Sequence, residues 1–264
     1  DTFDAQQTSN PTYSVLQLSD LTMAFRQGMA AIRENSGSQA KSAGRSEAKD
    51  SWRNPNIASL DVSDGVAATA EVIEASSVPS HIFRAYDIRG IADSELTDET
   101  VALIGKAIGS AALADNSDSF VVARDGRLSS ERIANALIEG LLSTGVNVID
   151  LGMVATPVMY FAVETLDVQS GVMVTGSHNP PEHNGVKIVI NGQALSDESI
   201  TALRRRIVRM EFAEGEGELS HLDVVDAYMD YIAGDVVFAS PMKVVLDCGN
   251  GAASAIAPML YASL

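Results

Sequence analysis

The chain has 264 residues, 46% of them hydrophobic, and a formal net charge of -17. That is enough apolar material for one large domain or two small ones with a real core, and an acidic balance that repels nucleic acid and anionic membrane surfaces. A single cysteine, Cys248, excludes an intramolecular disulfide and fits a reducing compartment, and no apolar run is long enough to span a bilayer.

From Asp1 to about residue 79 the chain is rich in Ser, Ala, Gln and Asn and shows no strong strand pattern. Ser19 to Arg33 reads as one amphipathic helix, with Leu21, Ala24, Phe25, Met29 and Ile32 in helical spacing. Ser36 to Asn56 is polar, with Gly and Ser among charges, and reads as linker or disorder. Residues 1–79 are therefore expected to be a flexible or partly helical extension without chemistry.

From Ser80 onward, strands and helices alternate. The runs Phe120 to Ala123, Val146 to Ile149, Gly171 to Val174 and Val186 to Ile190 have strand length and β-branched content. Asp98 to Leu113 predicts a helix with Val101, Ile104, Ile108 and Ala112 on one face. Ser130 to Thr144 predicts another, with Ile133, Leu137 and Leu141 inward and Gly145 as its stop. A third starts at Thr156-Pro157, a threonine cap before a first-turn proline. A fourth runs from Ser196-Asp197-Glu198 to about Met210. The alternation predicts an α/β fold, a mixed and mainly parallel sheet with helices on both faces.

Glu211 to Glu218 is acidic and reads as a solvated loop, followed by a helix from about Val224 to Ile232. Pro241 to Leu246 then reads as a fresh strand, ending in Asp247-Cys248-Gly249-Asn250-Gly251 before another helix. We expect residues 80–222 to form one domain and 223–264 to begin a second, similar one. The chain opens on Asp1 rather than methionine and stops soon after that restart, so a piece of a longer protein is expected. No signal peptide is visible.

The segment Val174 to Lys187 concentrates the chemistry. Ser177 and His178 stand side by side just beyond a predicted strand end, where α/β proteins place reactive groups. Gly176 permits conformations other residues avoid, and Pro180 and Pro181 stiffen the exit. Small residues leave backbone N–H groups free to meet an anion. Three readings are open: a nucleophilic or phosphoryl-carrying serine, a Ser-His-acid hydrolase, and a turn that caps its own backbone. The hydrolase reading lacks the Gly-x-Ser-x-Gly elbow.

Thr175-Gly176-Ser177-His178-Asn179-Pro180-Pro181 resembles the phosphoserine loop of the α-D-phosphohexomutases, in particular their bacterial phosphomannomutase/phosphoglucomutase branch. Asn184-Gly185-Val186-Lys187 is similar to that family's Asn-Gly-x-Lys. Phe83 to Gly90, Arg124 to Arg127 and Asp247 to Gly251 resemble three more of its segments, in the right order. The resemblance covers about Ser80 to Leu264. It implies a mutase that interconverts hexose 6-phosphate and hexose 1-phosphate, of mannose or glucose, through a phosphoserine and a bound 1,6-bisphosphate.

By that resemblance Ser177 carries the phosphoryl group, His178 acts as acid, base or positioning partner, and Lys187 is a cation and general base. Tyr86 and Arg89 face the substrate. Mg²⁺ touches the phosphate on Ser177. A cytoplasmic monomer that meets a hexose phosphate, and neither nucleic acid nor membrane, is expected. Non-catalytic phosphosugar binding and a phosphoglucosamine mutase are the alternatives, although Phe83 to Gly90 and Pro180 to Asn184 fit the phosphomannomutase branch better. For several residues a plainer role competes: Tyr86 as packing, Lys187 as a solvated strand-end lysine, Arg124 and Arg127 as loop-holding ion pairs, His183 and His221 as solvent-facing. Asp247 to Gly251 reads as a turn. The family's Asp-Gly-Asp-Gly-Asp metal loop is absent, as are its Gly-Glu-x-Ser sugar-reading loop and its last phosphate-binding loop. No carboxylate metal ligand is named from this chain, and these residues are expected to be inactive alone.

Overall fold

The computed structural model describes residues 78–240 and 242–264. The helix expected over 19–33 and the linker over 36–56 lie outside them.

The sheet has seven strands. They are β1 (Ile88–Ile91), β2 (Ser119–Arg124), β3 (Asn147–Met153), β4 (Gly171–Val174), β5 (His183–Ile190), β6 (Gln193–Ala194) and β7 (Leu219–His221). Their order is β1-β5-β4-β2-β3-β7, with β6 paired to β5. Strands β4, β2, β3 and β7 run parallel, while β5 is antiparallel to β4, β1 and β6. The helices are α1 (Asp98–Ala114), α2 (Ser130–Leu142), α3 (Thr156–Thr165), α4 (Glu198–Val208), α5 (Val225–Asp235) and α6 (Ala257–Ser263). The mixed α/β architecture expected from the sequence is the one found.

Side chains alternate across a strand, and the core divides accordingly. Phe120 and Val122 of β2, with Val172 and Val174 of β4, pack with α1, α2 and α4 through Ile104, Ile108, Ile133, Leu137, Ile200 and Leu203. Val121, Ala123 and Met173 face the other way, onto Val158, Met159 and Ala162 of α3. Val224 joins this second cluster, and Tyr228 of α5 meets Phe161 edge-on with ring centroids 5.5 Å apart.

Thr97 caps α1, its hydroxyl accepting from Thr100 N at 3.3 Å, while Asp98 and Glu99 complement the helix dipole in the first turn. Helices α1 and α2 meet backbone to backbone. A Cβ on Gly105 would lie 2.5 Å from the Leu137 carbonyl oxygen, and one on Gly140 only 2.3 Å from that of Ala102. Only hydrogen side chains allow that approach.

Four details depart from expectation. Thr156 does not cap α3: it is the first helical residue, after Ala155, and no side chain caps this helix. Strand β5 starts at His183 rather than Val186, because Gly90 and Ile91 of β1 pair with Asn184 and His183. The short strand β7 follows the acidic loop, paired to β3 along an exposed edge without apolar alternation. The strand expected over 241–246 is not formed at residues 242–246; none of the described strands pairs with it, and Val245 is 89% exposed. Apolar content alone does not make a strand without a ladder partner.

Candidate active site

Strands β2 and β4 are parallel neighbours, so the loops leaving them, 125–129 and 175–182, emerge at the same end of the sheet. Strand β5 returns from the second loop. Ser177 sits in that loop, exposed, at φ +52°. A non-glycine residue in the left-handed region costs about 1–2 kcal/mol, and persists only where the surroundings over-determine it.

The surroundings are Arg127 and Asp125. The Arg127 guanidinium donates to four carbonyl oxygens of the serine loop: Pro180 at 2.6 Å, His183 at 3.0 Å, Ser177 at 2.9 Å and Asn179 at 2.6 Å. Its Nε lies 3.4 Å from Asp125 Oδ2. The same Asp125 oxygen accepts from Thr175 Oγ1 at 2.8 Å and Gly176 N at 3.2 Å. Asp125 Oδ1 accepts from Arg127 N at 3.0 Å and from Ser130 Oγ, in the first turn of α2, at 2.5 Å. Thr175 Oγ1 in turn accepts from Ser177 N at 2.9 Å. Buried Asn184 completes the seat, donating to Ser129 and Ser130 hydroxyls, each at 2.9 Å. The loop-holding role of Arg127 is thus present, but through backbone carbonyls as well as an acid. Arg124 makes only a loose pair, 3.9 Å from Glu131.

Ser177 Oγ points away from this network, with His178 Nδ1 at 3.3 Å. Both residues are exposed. That distance is near the limit for a hydroxyl–imidazole hydrogen bond, and suits a group that tightens on a reacting oxygen.

A second cluster is built where β1 meets β5. Asp87 and Arg89 are buried, 2% and 4% exposed, and Asp87 Oδ2 accepts from Arg89 at 2.5 Å. Lys187 Nζ lies 3.8 Å from that same oxygen and 5.0 Å from the centroid of the Tyr86 ring. Lys187 is therefore a mid-strand residue facing a carboxylate, and Tyr86, 58% exposed, is not core packing. Asp87 Oδ1 and Arg89 Nε are buried without a hydrogen-bond partner. Among the described residues no hydrogen bond or ion pair links Ser177 directly to Tyr86, Arg89 or Lys187; strand β5 joins the clusters, receiving Thr175 N on the Gly185 carbonyl at 2.9 Å.

His221 is solvent-facing, 3.4 Å from Asp150. His183 is not: it is part-buried in β5, with a buried Nδ1 lacking a hydrogen bond. Asp247 to Gly251 is the expected turn, closed by Gly251 N donating to the Cys248 carbonyl at 2.9 Å, with Gly249 and Asn250 both at positive φ. No cluster of three or more His, Cys, Asp or Glu suited to a metal ion exists among the described residues, and none of their helices is long and apolar enough to cross a membrane. Sequence reasoning gave no role to Asp87, Asp125 and Asn184. The spacing Asp-x-Arg, occurring at 87–89 and again at 125–127, is the signal that was available.

The family model for phosphoglucomutase/phosphomannomutase, alpha/beta/alpha domain I, matches residues 80–214. A phosphomannomutase/phosphoglucomutase of Pseudomonas aeruginosa is 50% identical over 191 residues, covering 72% of this chain and 41% of that protein. A phosphoglucomutase of Neisseria meningitidis serogroup B is 41% identical over 191 residues, covering 72% and 42%. A solved phosphoglucomutase/phosphomannomutase family protein of Burkholderia thailandensis superposes with a TM-score of 0.68 at 43% identity, covering 71% of this chain and 43% of that one. The chain thus spans about two fifths of the length of these relatives. It belongs to the phosphoglucomutase/phosphomannomutase family.

Proposed function

We propose that this chain supplies the phosphoryl-carrying serine of a phosphohexomutase that interconverts hexose 6-phosphate and hexose 1-phosphate. The observation that carries the reading is Ser177: exposed, held at φ +52° with its hydroxyl outward, at the carboxyl end of β4, in a chain of this family. Phosphoserine 177 gives its phosphoryl group to the free hydroxyl of the sugar phosphate. The Oγ–P bond breaks as the sugar O–P bond forms, the sugar hydroxyl proton leaves to a base, and the departing Ser177 Oγ takes up a proton to become the free hydroxyl. The resulting 1,6-bisphosphate turns over and returns its other phosphoryl group to Ser177, whose proton passes to the departing sugar oxygen.

Such a transfer needs in-line oxygens and positive charge around the phosphoryl group. Lys187 is suited to be the cation near the sugar hydroxyl, since Asp87 and the Tyr86 ring fix its ammonium, and it acts as the base only after that ammonium has given up a proton. His178, whose Nδ1 lies 3.3 Å from Ser177 Oγ, takes or gives the serine proton in this proposal. Tyr86 offers an exposed ring to the sugar phosphate, while Arg89 is buried beside Asp87 and would act on it through the charge of that pair. Mg²⁺ belongs to the proposal through the phosphoryl oxygens of Ser177 alone. A hard cation takes about six oxygens, and the described side chains offer no acidic cluster for it.

The relatives' names support mannose and glucose phosphates as substrates. We take residues 80–222 as the serine-bearing domain and 223–264 as the opening of a second, in a cytoplasmic monomer. The 264 residues alone are proposed not to turn over. Phosphate located on Ser177 by mass spectrometry of the protein at its natural length, and loss of nearly all mutase activity in Ser177→Ala, are the expected results. An unmodified serine with an active alanine variant refutes the reading, and mutase turnover by the isolated 264 residues refutes their inactivity.

A further inference from the structure

We infer that Arg127, oriented by Asp125, is a positioning residue that fixes the direction in which Ser177 presents its hydroxyl, and that it is not a ligand of the phosphoryl group. The inference deepens the proposal above and rests on Ser177 as the carrier.

A guanidinium has five N–H donors in a rigid fork. In Arg127 four meet the loop carbonyls of Ser177, Asn179, Pro180 and His183, and the fifth faces Asp125. The four N–H groups of the two terminal nitrogens are thus taken by the loop, and Nε has a carboxylate, not a phosphate, 3.4 Å away. The guanidinium also lies flat against Gly176: a Cβ there would stand 2.3 Å from both its Cζ and its Nε. Gly176 is thus the floor on which the fork rests.

Ser177 is tied on both sides to the same ion pair. Its carbonyl accepts from Arg127, and its N–H donates to Thr175 Oγ1, which donates to Asp125. Only the hydroxyl is left outward. The left-handed φ of Ser177 is thus over-determined by groups that lie about 50 residues away in sequence. A lysine cannot replace this. Its three donors leave one point and cannot fan across four carbonyls.

The test compares Arg127→Ala, Arg127→Lys, Gly176→Ala and the Arg127→Ala/Gly176→Ala double variant, in the protein at its natural length. Three quantities are read: exchange of the amides of Ser177 and Asn179, the backbone NMR shifts of Ser177, and single-turnover transfer from glucose 1,6-bisphosphate to Ser177. Both Arg127 variants should raise amide exchange at least about tenfold and move the Ser177 shifts out of the left-handed range. Transfer should slow by about 100-fold, with the half-saturating bisphosphate concentration unchanged. Gly176→Ala should do the same, and the double variant should be no worse than Arg127→Ala.

Retention of wild-type shifts and rate by Arg127→Lys would overturn the assignment. So would an effect confined to the half-saturating concentration, which marks a phosphate ligand, or additive losses in the double variant. If Arg127→Ala does not fold, Arg127→Lys and Gly176→Ala decide. A wild-type protein that accepts no phosphoryl group overturns the carrier reading alone, while exchange and shifts still decide whether Arg127 sets the conformation of Ser177.

Discussion

Two Asp-x-Arg pairs stand at the site, and they differ in how completely they are satisfied. Asp125–Arg127 is partly exposed and bonded many times over: both terminal guanidinium nitrogens donate to loop carbonyls, Nε lies 3.4 Å from the acid, and the acid also holds a hydroxyl at each end. Asp87–Arg89 is far more buried, yet Asp87 Oδ1 and Arg89 Nε have no partner. Buried polar atoms are almost always paired, because desolvation without a hydrogen bond is costly. The same spacing therefore makes a bolt with many bonds in one place and a buried pair with two unmatched atoms in the other. The first shapes a loop; the second keeps an ion pair out of solvent where β1 meets β5.

The largest expected effect comes from breaking the buried pair. Asp87→Ala leaves the Arg89 charge without its counter-ion and should cost about 3–5 kcal/mol in urea unfolding. A cost under about 1 kcal/mol would mean the pair is not what makes that burial tolerable. Asp125→Ala should cost less, about 2 kcal/mol, because its partners reach solvent more easily and Arg127 keeps its carbonyls. An equal or larger loss would reverse the ranking of the two pairs. Lys187→Met should shift stability by under about 1 kcal/mol, since its pair with Asp87 is 3.8 Å long and part-exposed, while mutase activity falls sharply. Stability and turnover measured on one preparation separate the two.

The smallest effect lies at the far end of the strand that carries Arg89. Glu95 accepts from Ile91 N at 2.7 Å and pairs with His81, and these, the backbone bond first, hold its carboxyl below the usual range. A depressed folded value contributes stability that is present above the unfolded value, near pH about 4.3, and is lost as pH falls through the folded one. Thermal unfolding of Glu95→Gln should trail the wild type at neutral pH and converge with it in acid. A constant gap across that range would show that the carboxylate's charge contributes nothing.

Much of the scaffold was legible because its periodicities are strong. Ile133, Leu137 and Leu141 repeat at helical spacing and are fully buried; Gly171 to Val174 is an unbroken apolar run and is buried on both faces. What was not legible depends on partners. Strand β7 has no apolar pattern and exists because β3 offers a free edge, whereas residues 242–246 have the pattern and no described neighbour. At the site, Ser177 and His178 stood out by chemistry. The reach of Arg127 did not, because its targets are backbone carbonyls that every residue carries and no side-chain pattern reveals.

The glycine contact between α1 and α2 has a consequence for how far mutational sensitivity spreads. Gly105 and Gly140 lock the two helices at backbone distance, and the first turn of α2 supplies Ser130, on which both Asp125 and Asn184 rest. A single added methyl at Gly140 must displace α2, and the helix carries the footing of the serine loop with it. Positions that touch no substrate and no reacting atom are therefore expected to be as intolerant of substitution as the site they support.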